Sequence, residues 1–184
     1  MNYRVIGSVI KEEFPAITLS LILGTIGGAI LNSNFETILA LPPLLALEPP
    51  LSDMAGDFGL MIGARLMTAL KLGYIRPRVL FRSKVLRKNL IATLSVGCLA
   101  SAYLGIVILL ASYLGGLLVI NPSVLVEVSF FSGFLLVLVV TFSGILFSVL
   151  SFKYGIDLSP LITSVGDLSG PACLMIGARL LQLI

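Results

Sequence analysis

Histidine and tryptophan are absent from the 184 residues, cysteine occurs twice, and charged residues make up only 11% of the chain. Without histidine there is no imidazole to act as a general base or to bind zinc or haem iron. Cys98 and Cys173 lie in apolar stretches, and their spacing matches neither a redox pair nor a zinc site. A soluble domain has about 25% charged residues. Because 58% of the residues here are hydrophobic, the sequence predicts a membrane protein.

Five long apolar segments predict five transmembrane helices, each of which needs about 20 apolar residues to cross the hydrocarbon core. We place them at residues 14–31, 39–72, 90–120, 124–152 and from 160 to the C-terminus. The second segment is too long for one straight span, so we expect it to be broken or tilted, with breaks at Pro42-Pro43 and Pro49-Pro50. The expected fold class is an all-α membrane protein. We expect one domain, residues 1–184, with no soluble regulatory domain.

Basic residues are concentrated between the second and third spans, where the stretch 71–88 holds seven of the twelve lysines and arginines. The positive-inside rule predicts that this stretch is cytoplasmic. The turn around Asn121 has no basic residue, as expected of an external turn. Five spans in the cell membrane then place the N-terminus in the cytoplasm and the C-terminus outside.

One heptapeptide occurs twice, because Leu-Met-Ile-Gly-Ala-Arg-Leu begins at residue 60 and again at residue 174. At the same offset Asp53 aligns with Asp167, and Gly56 aligns with Gly170. The copies lie on the second and fifth spans, which cross the membrane in opposite directions, so we predict an inverted repeat. Inverted repeats in transporters place ion sites near the middle of the bilayer. A duplicated packing helix without a transport role is the alternative, and the repeated aspartate fits it poorly.

Three aspartates, Asp53, Asp57 and Asp167, lie inside predicted spans without a basic residue one or two helical turns away. A carboxylate at the centre of a span costs roughly 3 kcal/mol on insertion scales, so these acids favour a mobile cation as the counter-charge. Pro171 cannot donate to the carbonyl of Asp167, and Thr163 lies one turn earlier, so both positions add oxygen ligands. Oxygen ligands suit Mg²⁺, with Ca²⁺ and Mn²⁺ as alternatives.

Other residues in the spans are explained by structure alone. Glu48, Glu127 and Asp157 lie nearer to predicted helix ends, where hydrated interfacial side chains are common. Gly24 and Gly28 have the spacing that lets two helix backbones approach closely in lipid.

These motifs resemble those of the MgtE-type magnesium channels and transporters, including their eukaryotic solute-carrier relatives. The resemblance covers the whole chain, and its anchors are Leu41-Pro42-Pro43, Gly56-Asp57-Phe58-Gly59, Gly155-Ile156-Asp157 with Pro160, and the segment from Thr163 to Asp167. It implies that Asp167 binds Mg²⁺ at the pore, that the Thr163 position contributes a backbone carbonyl, and that the pore lies between two copies in a homodimer. Asp57 stands where the family tends to have asparagine.

The leading hypothesis is a channel or transporter for divalent cations, with Mg²⁺ as the first choice. Its predicted metal ligands are Asp167, Asp53, Asp57 and Thr163, and its predicted partners are the lipid bilayer and a second copy, with no nucleic acid. One alternative is a membrane-embedded, metal-dependent enzyme that uses Asp53 and Asp57 on a lipid or other small substrate. It ranks low because no phosphotransfer signature or histidine is present. A structural subunit of a larger complex is the third possibility.

Overall fold

A computed structural model describes residues 3–40, 42–75, 77, 80, 83–116, 121–155 and 157–181. Five long helices and one short helix account for most of them: α1 (Tyr3–Ser33), α2 (Phe35–Ala40), α3 (Pro42–Lys71), α4 (Lys84–Leu114), α5 (Pro122–Tyr154) and α6 (Ser159–Leu180). The described residues contain no β-strand. The all-α prediction is therefore confirmed, and each of the five predicted spans corresponds to one long helix.

The helix α3 runs without interruption through Pro49 and Pro50, so the break predicted there is wrong. These prolines leave the carbonyls of Leu45 and Ala46 without helical donors, yet α3 continues past them. The helix begins at Pro42, where a missing N–H group costs nothing because the first turn has no helical acceptor.

Three helices, α4, α5 and α6, are long and apolar enough to cross a membrane. The apolar part of α1 is shorter and covers Ile17–Ser33. The helix α3 is not among the three, because Glu48, Asp53, Asp57 and Arg65 interrupt its apolar residues. The five-span topology and the orientation of the termini therefore stay predictions.

The core lies among α3, α5 and α6, which pack against one another. The helix α4 covers α5 and part of α3, and the helix α1 packs against α6. Small residues bring α3 and α6 together in opposite order along the two helices, at the pairs Gly170 with Ser52, Gly166 with Ala55, and Ile162 with Gly59. The two helices are therefore antiparallel. The predicted inverted repeat requires these two helices to be antiparallel, and the repeat itself stays a prediction.

The glycine of each heptapeptide copy packs against a serine of α5. The Ser148 hydroxyl donates to the Gly63 carbonyl at 3.0 Å. The Gly177 backbone lies so close to the Ser132 hydroxyl that a β-carbon would collide with it. The local reason for the repeated glycine is therefore close packing on α5, at two points along that helix.

Candidate cation site

Asp167 lies in the middle of α6, half-buried between α1 and α3. The Ser20 hydroxyl of α1 donates to its Oδ2 atom at 2.7 Å. Pro171 removes the helical donor for the Asp167 carbonyl, and that carbonyl faces Gly27 of α1, where a β-carbon would lie 2.9 Å from the oxygen. The glycine thus allows α1 to approach the segment of α6 that carries the carboxylate.

The neighbouring glycines Gly24 and Gly28, whose spacing suits close approach of helices, do not make this contact. A β-carbon on either would meet nothing within 4 Å, and both line a cavity beside Asp167. Close helix contact depends on Gly27, which is buried. Whether Gly24 and Gly28 bring another helix close in lipid stays a prediction.

The cavity beside Asp167 has a volume of about 290 Å³ and lies between α1, α3 and α6. Its described lining consists of Gly24, Gly28, Leu31, Glu48, Ser52, Asp167 and Pro171. The Ser52 hydroxyl donates to Glu48 Oε1 at 2.9 Å. Two carboxylates, each accepting a hydrogen bond from a serine, therefore face one cavity, and none of the lining residues is basic.

Glu48 is the residue that sequence reasoning missed. The predicted break at Pro49 placed it at a helix end, but α3 is continuous from Pro42, so Glu48 lies within the helix and is half-buried. The signal that points to it is the serine four residues later, because positions i and i+4 share one helix face. Glu48 and Ser52 thus form one face that α3 turns toward α6.

The other predicted ligands do not line this cavity. Asp53 and Asp57 are exposed on the outer face of α3. The Thr163 hydroxyl donates to the Pro160 carbonyl within α6 at 2.8 Å, and its methyl group faces Gly56 of α3. The structure therefore brings Asp167 together with Glu48, while the roles of Asp53, Asp57 and Thr163 as ligands stay predictions.

The two carboxylates and the Ser52 hydroxyl that line the cavity are hard oxygen ligands of the kind that Mg²⁺ and Ca²⁺ prefer. Among the described residues no three histidine, cysteine or acidic side chains come together as a metal-binding group. The cavity thus offers a cation few direct ligands, which suits an ion that keeps part of its water shell.

A larger cavity of about 650 Å³ lies where the end of α3 meets the start of α6, and both Lys71 and Asp157 line it. Asp157 is exposed and accepts a hydrogen bond from the Ser159 backbone N–H at 2.9 Å and another from the Ser159 hydroxyl. These bonds, with a smaller contribution from the charge of Lys71, lower the pKa of the Asp157 carboxyl. Asp157 thus stabilises the first turn of α6.

The family model named MgtE, described as a divalent cation transporter, matches residues 48–176 of the chain. The matched region begins at Glu48 and includes Asp53, Asp57, Thr163 and Asp167. No curated protein and no solved structure matches the chain.

Proposed function

The chain belongs to the MgtE family of divalent cation transporters, and we propose that it carries Mg²⁺ along an acidic path that passes Asp167. The family match supports transport of divalent cations, and the apolar helices support a multi-pass membrane protein. A membrane-embedded enzyme has no support from the family or from the site. The identity of the ion, its path through the protein and the assembly of two copies go beyond what the family match supports.

The observation that carries the proposal is the shared cavity of Asp167 and Glu48. Both carboxylates are half-buried among apolar helices, where an ionised acid without a counter-charge is costly. The serine hydroxyls offset part of that cost but supply no charge. A divalent cation would neutralise both carboxylates at once.

The size of the cavity favours a hydrated ion. Six water molecules at roughly 30 Å³ each occupy about 180 Å³, and the cavity has about 290 Å³. Mg²⁺ keeps several waters and binds through one or two carboxylates, whereas Ca²⁺ takes six to eight oxygen ligands. Two carboxylates beside a cavity of this size therefore fit Mg²⁺ better than Ca²⁺.

We propose further that two copies of the chain form the complete pathway. Asp53 and Asp57 are exposed one turn apart on α3, in a stretch where the flanking residues Leu45 and Met61 are exposed and apolar. A second copy against this face would remove apolar surface from lipid contact and bring acidic residues of both copies together. The positive charge of the stretch 71–88 supports an orientation with both that stretch and the N-terminus in the cytoplasm.

Transport is tested by reconstituting the purified protein into liposomes that contain a Mg²⁺-sensitive dye. We expect influx that empty liposomes lack, and a sharp loss of influx in Asp167→Asn and in Glu48→Gln. Glu127→Gln is the matched control, because Glu127 is an exposed acid of α5 that does not line the cavity. Influx equal to that of empty liposomes would refute transport of Mg²⁺, and normal influx in Asp167→Asn would refute the path.

A further inference from the structure

The two arginines of the repeated heptapeptide have different surroundings. Arg179 of the second copy donates to the Asn34 side-chain oxygen at 3.3 Å. Arg65 of the first copy is exposed, and no hydrogen bond from it to a described residue is present. It lines a groove of about 420 Å³ between the end of α3 and the start of α4. Among the described residues, the same side chain in the same local sequence thus has a hydrogen-bond acceptor at one end of the repeat and none at the other.

The groove lies at the level where a membrane span begins. Its α4 wall is Asn89, which is half-buried and stands between the exposed Lys88 and the apolar run that starts at Leu90. The side chains that line a groove at this boundary therefore lie at the depth of lipid headgroups, provided that α4 crosses the bilayer. Tyr74, which also lines the groove, is a residue type enriched at this depth.

The wall next to Tyr74 is held in a fixed conformation. Gly73, in the turn that follows α3, has a φ of 74°, a left-handed conformation that favours glycine. The Tyr74 backbone N–H then donates to the Ala69 carbonyl at 2.9 Å, and Ile75 is buried. Tyr74 is 74% exposed between these two anchors. The tyrosine ring is therefore presented outward beside Arg65 by backbone contacts.

The charge around the groove has one sign. No aspartate or glutamate occurs between residues 58 and 126, a stretch that contains eight of the twelve basic residues. Asp157 at the start of α6 interacts with Lys71 and does not line the groove. The guanidinium of Arg65 has five N–H donors, and the side-chain amide of Asn89 has two more. This donor set, without an acceptor of negative charge, fits a phosphate group.

We propose that the groove formed by Arg65, Thr68, Tyr74 and Asn89 binds the headgroup phosphate of an anionic phospholipid, in the leaflet next to the basic stretch. The acyl chains would lie along the exposed apolar surface of α4, where Val96 lies two turns after Asn89 on the same helix face. Anionic lipid is favoured over zwitterionic lipid because the neighbouring Arg87 and Lys88 add positive charge near the surface. This site does not depend on which ion the protein transports.

The repeat supplies a matched pair of variants, Arg65→Gln and Arg179→Gln, which remove the same charge from the same local sequence. Binding of phosphatidylglycerol and phosphatidylcholine is measured by native mass spectrometry on the full chain in detergent. We expect the wild type and Arg179→Gln to prefer phosphatidylglycerol. Arg65→Gln should lose about fivefold in affinity for phosphatidylglycerol, with little change for phosphatidylcholine.

A second measurement leaves Arg65 unchanged. The chain has no tryptophan, so Tyr74→Trp places a single fluorescent reporter in the groove. Brominated phosphatidylglycerol should quench it at lower concentration than brominated phosphatidylcholine, and millimolar inorganic phosphate should not prevent quenching. Equal quenching by the two lipids, or complete protection by free phosphate, would overturn the proposal. It is also overturned if both glutamine variants weaken lipid binding equally, or if Arg65→Gln changes only the oligomeric mass, which would indicate that a second copy covers the groove.

Discussion

The hydrogen bond between Ser20 and Asp167 tests whether α1 forms a wall of the acidic cavity. Ser20→Ala removes the hydroxyl that donates to Asp167 Oδ2 at 2.7 Å. Hydrogen bonds to charged groups contribute about 1.5–3 kcal/mol. Because Asp167 is half-buried beside a cavity, water can replace part of the bond, so we expect the low end, a loss of about 1.5 kcal/mol in the free energy of unfolding.

Ser20→Ala should cause a smaller loss in the free energy of unfolding when the acceptor at residue 167 is neutral. In an Asp167→Asn background the serine donates to an uncharged oxygen, and neutral hydrogen bonds contribute about 1 kcal/mol. Asp167→Asn alone should leave stability unchanged or raise it, because a neutral side chain is cheaper to hold in a membrane helix. Ser20→Ala should therefore lower the free energy of unfolding by about 0.5 kcal/mol less in the Asp167→Asn background than in the wild type.

Reversible unfolding in mixed micelles, followed by circular dichroism, measures these differences on the four proteins of the cycle. Thr25→Ala is the control on the same helix, because the Thr25 hydroxyl donates to the Leu21 carbonyl of α1 at 2.7 Å and is exposed. It should show no coupling to Asp167→Asn. A Ser20→Ala protein as stable as the Thr25→Ala control would refute the contact between α1 and the carboxylate.

Three further changes test separate parts of the structure. Gly27→Ala should lower stability by about 1–3 kcal/mol in the same unfolding assay, because its β-carbon would press on the Asp167 carbonyl; unchanged stability would contradict the close approach. The lowered pKa of Asp157 stabilises the fold above about pH 4, and this stabilisation is lost as the pH falls through the folded-state pKa. Thermal melts of Asp157→Asn should therefore lack this part of the loss of stability in acid. A dependence of melting temperature on pH equal to that of the wild type would contradict the bond from Ser159. If Asp57 faces the ion path, Asp57→Asn should weaken divalent binding and shift the competition among Mg²⁺, Ca²⁺ and Mn²⁺ in the liposome assay, whereas superimposable competition curves would remove it from the path.

Much of the helical architecture could be predicted from sequence, because long apolar runs determine helices in lipid wherever they occur. The extent of α3 could not. A proline pair removes two backbone donors, and whether the helix stops depends on what surrounds the freed carbonyls, which the local sequence does not specify. The structure shows that α3 continues through Pro49 and Pro50. That one error also misplaced Glu48, since its predicted role depended on where the helix ended.

Asp167 could be selected from sequence because it is an acid in an apolar helix with a proline four residues later. Its partners could not be selected, since Ser20 and Glu48 are distant in sequence and meet it only through the packing of α1 and α3 against α6. The repeat provided no help with Glu48, because its aligned position is Ile162. The sequence of any one of the three helices does not indicate the cavity that they form together.

The aligned aspartates show why identical local sequence does not produce identical sites. Asp53 and Asp167 occupy the same position of the repeat, yet Asp167 is covered by α1 and Asp53 is exposed on α3. The repeated glycines fix how each copy packs on α5, whereas the environment of each aspartate depends on a further helix. Within the described residues no helix covers Asp53 as α1 covers Asp167. An unpartnered carboxylate facing lipid would be unfavourable, so the asymmetry itself argues that Asp53 meets water, a cation or a second copy at this face.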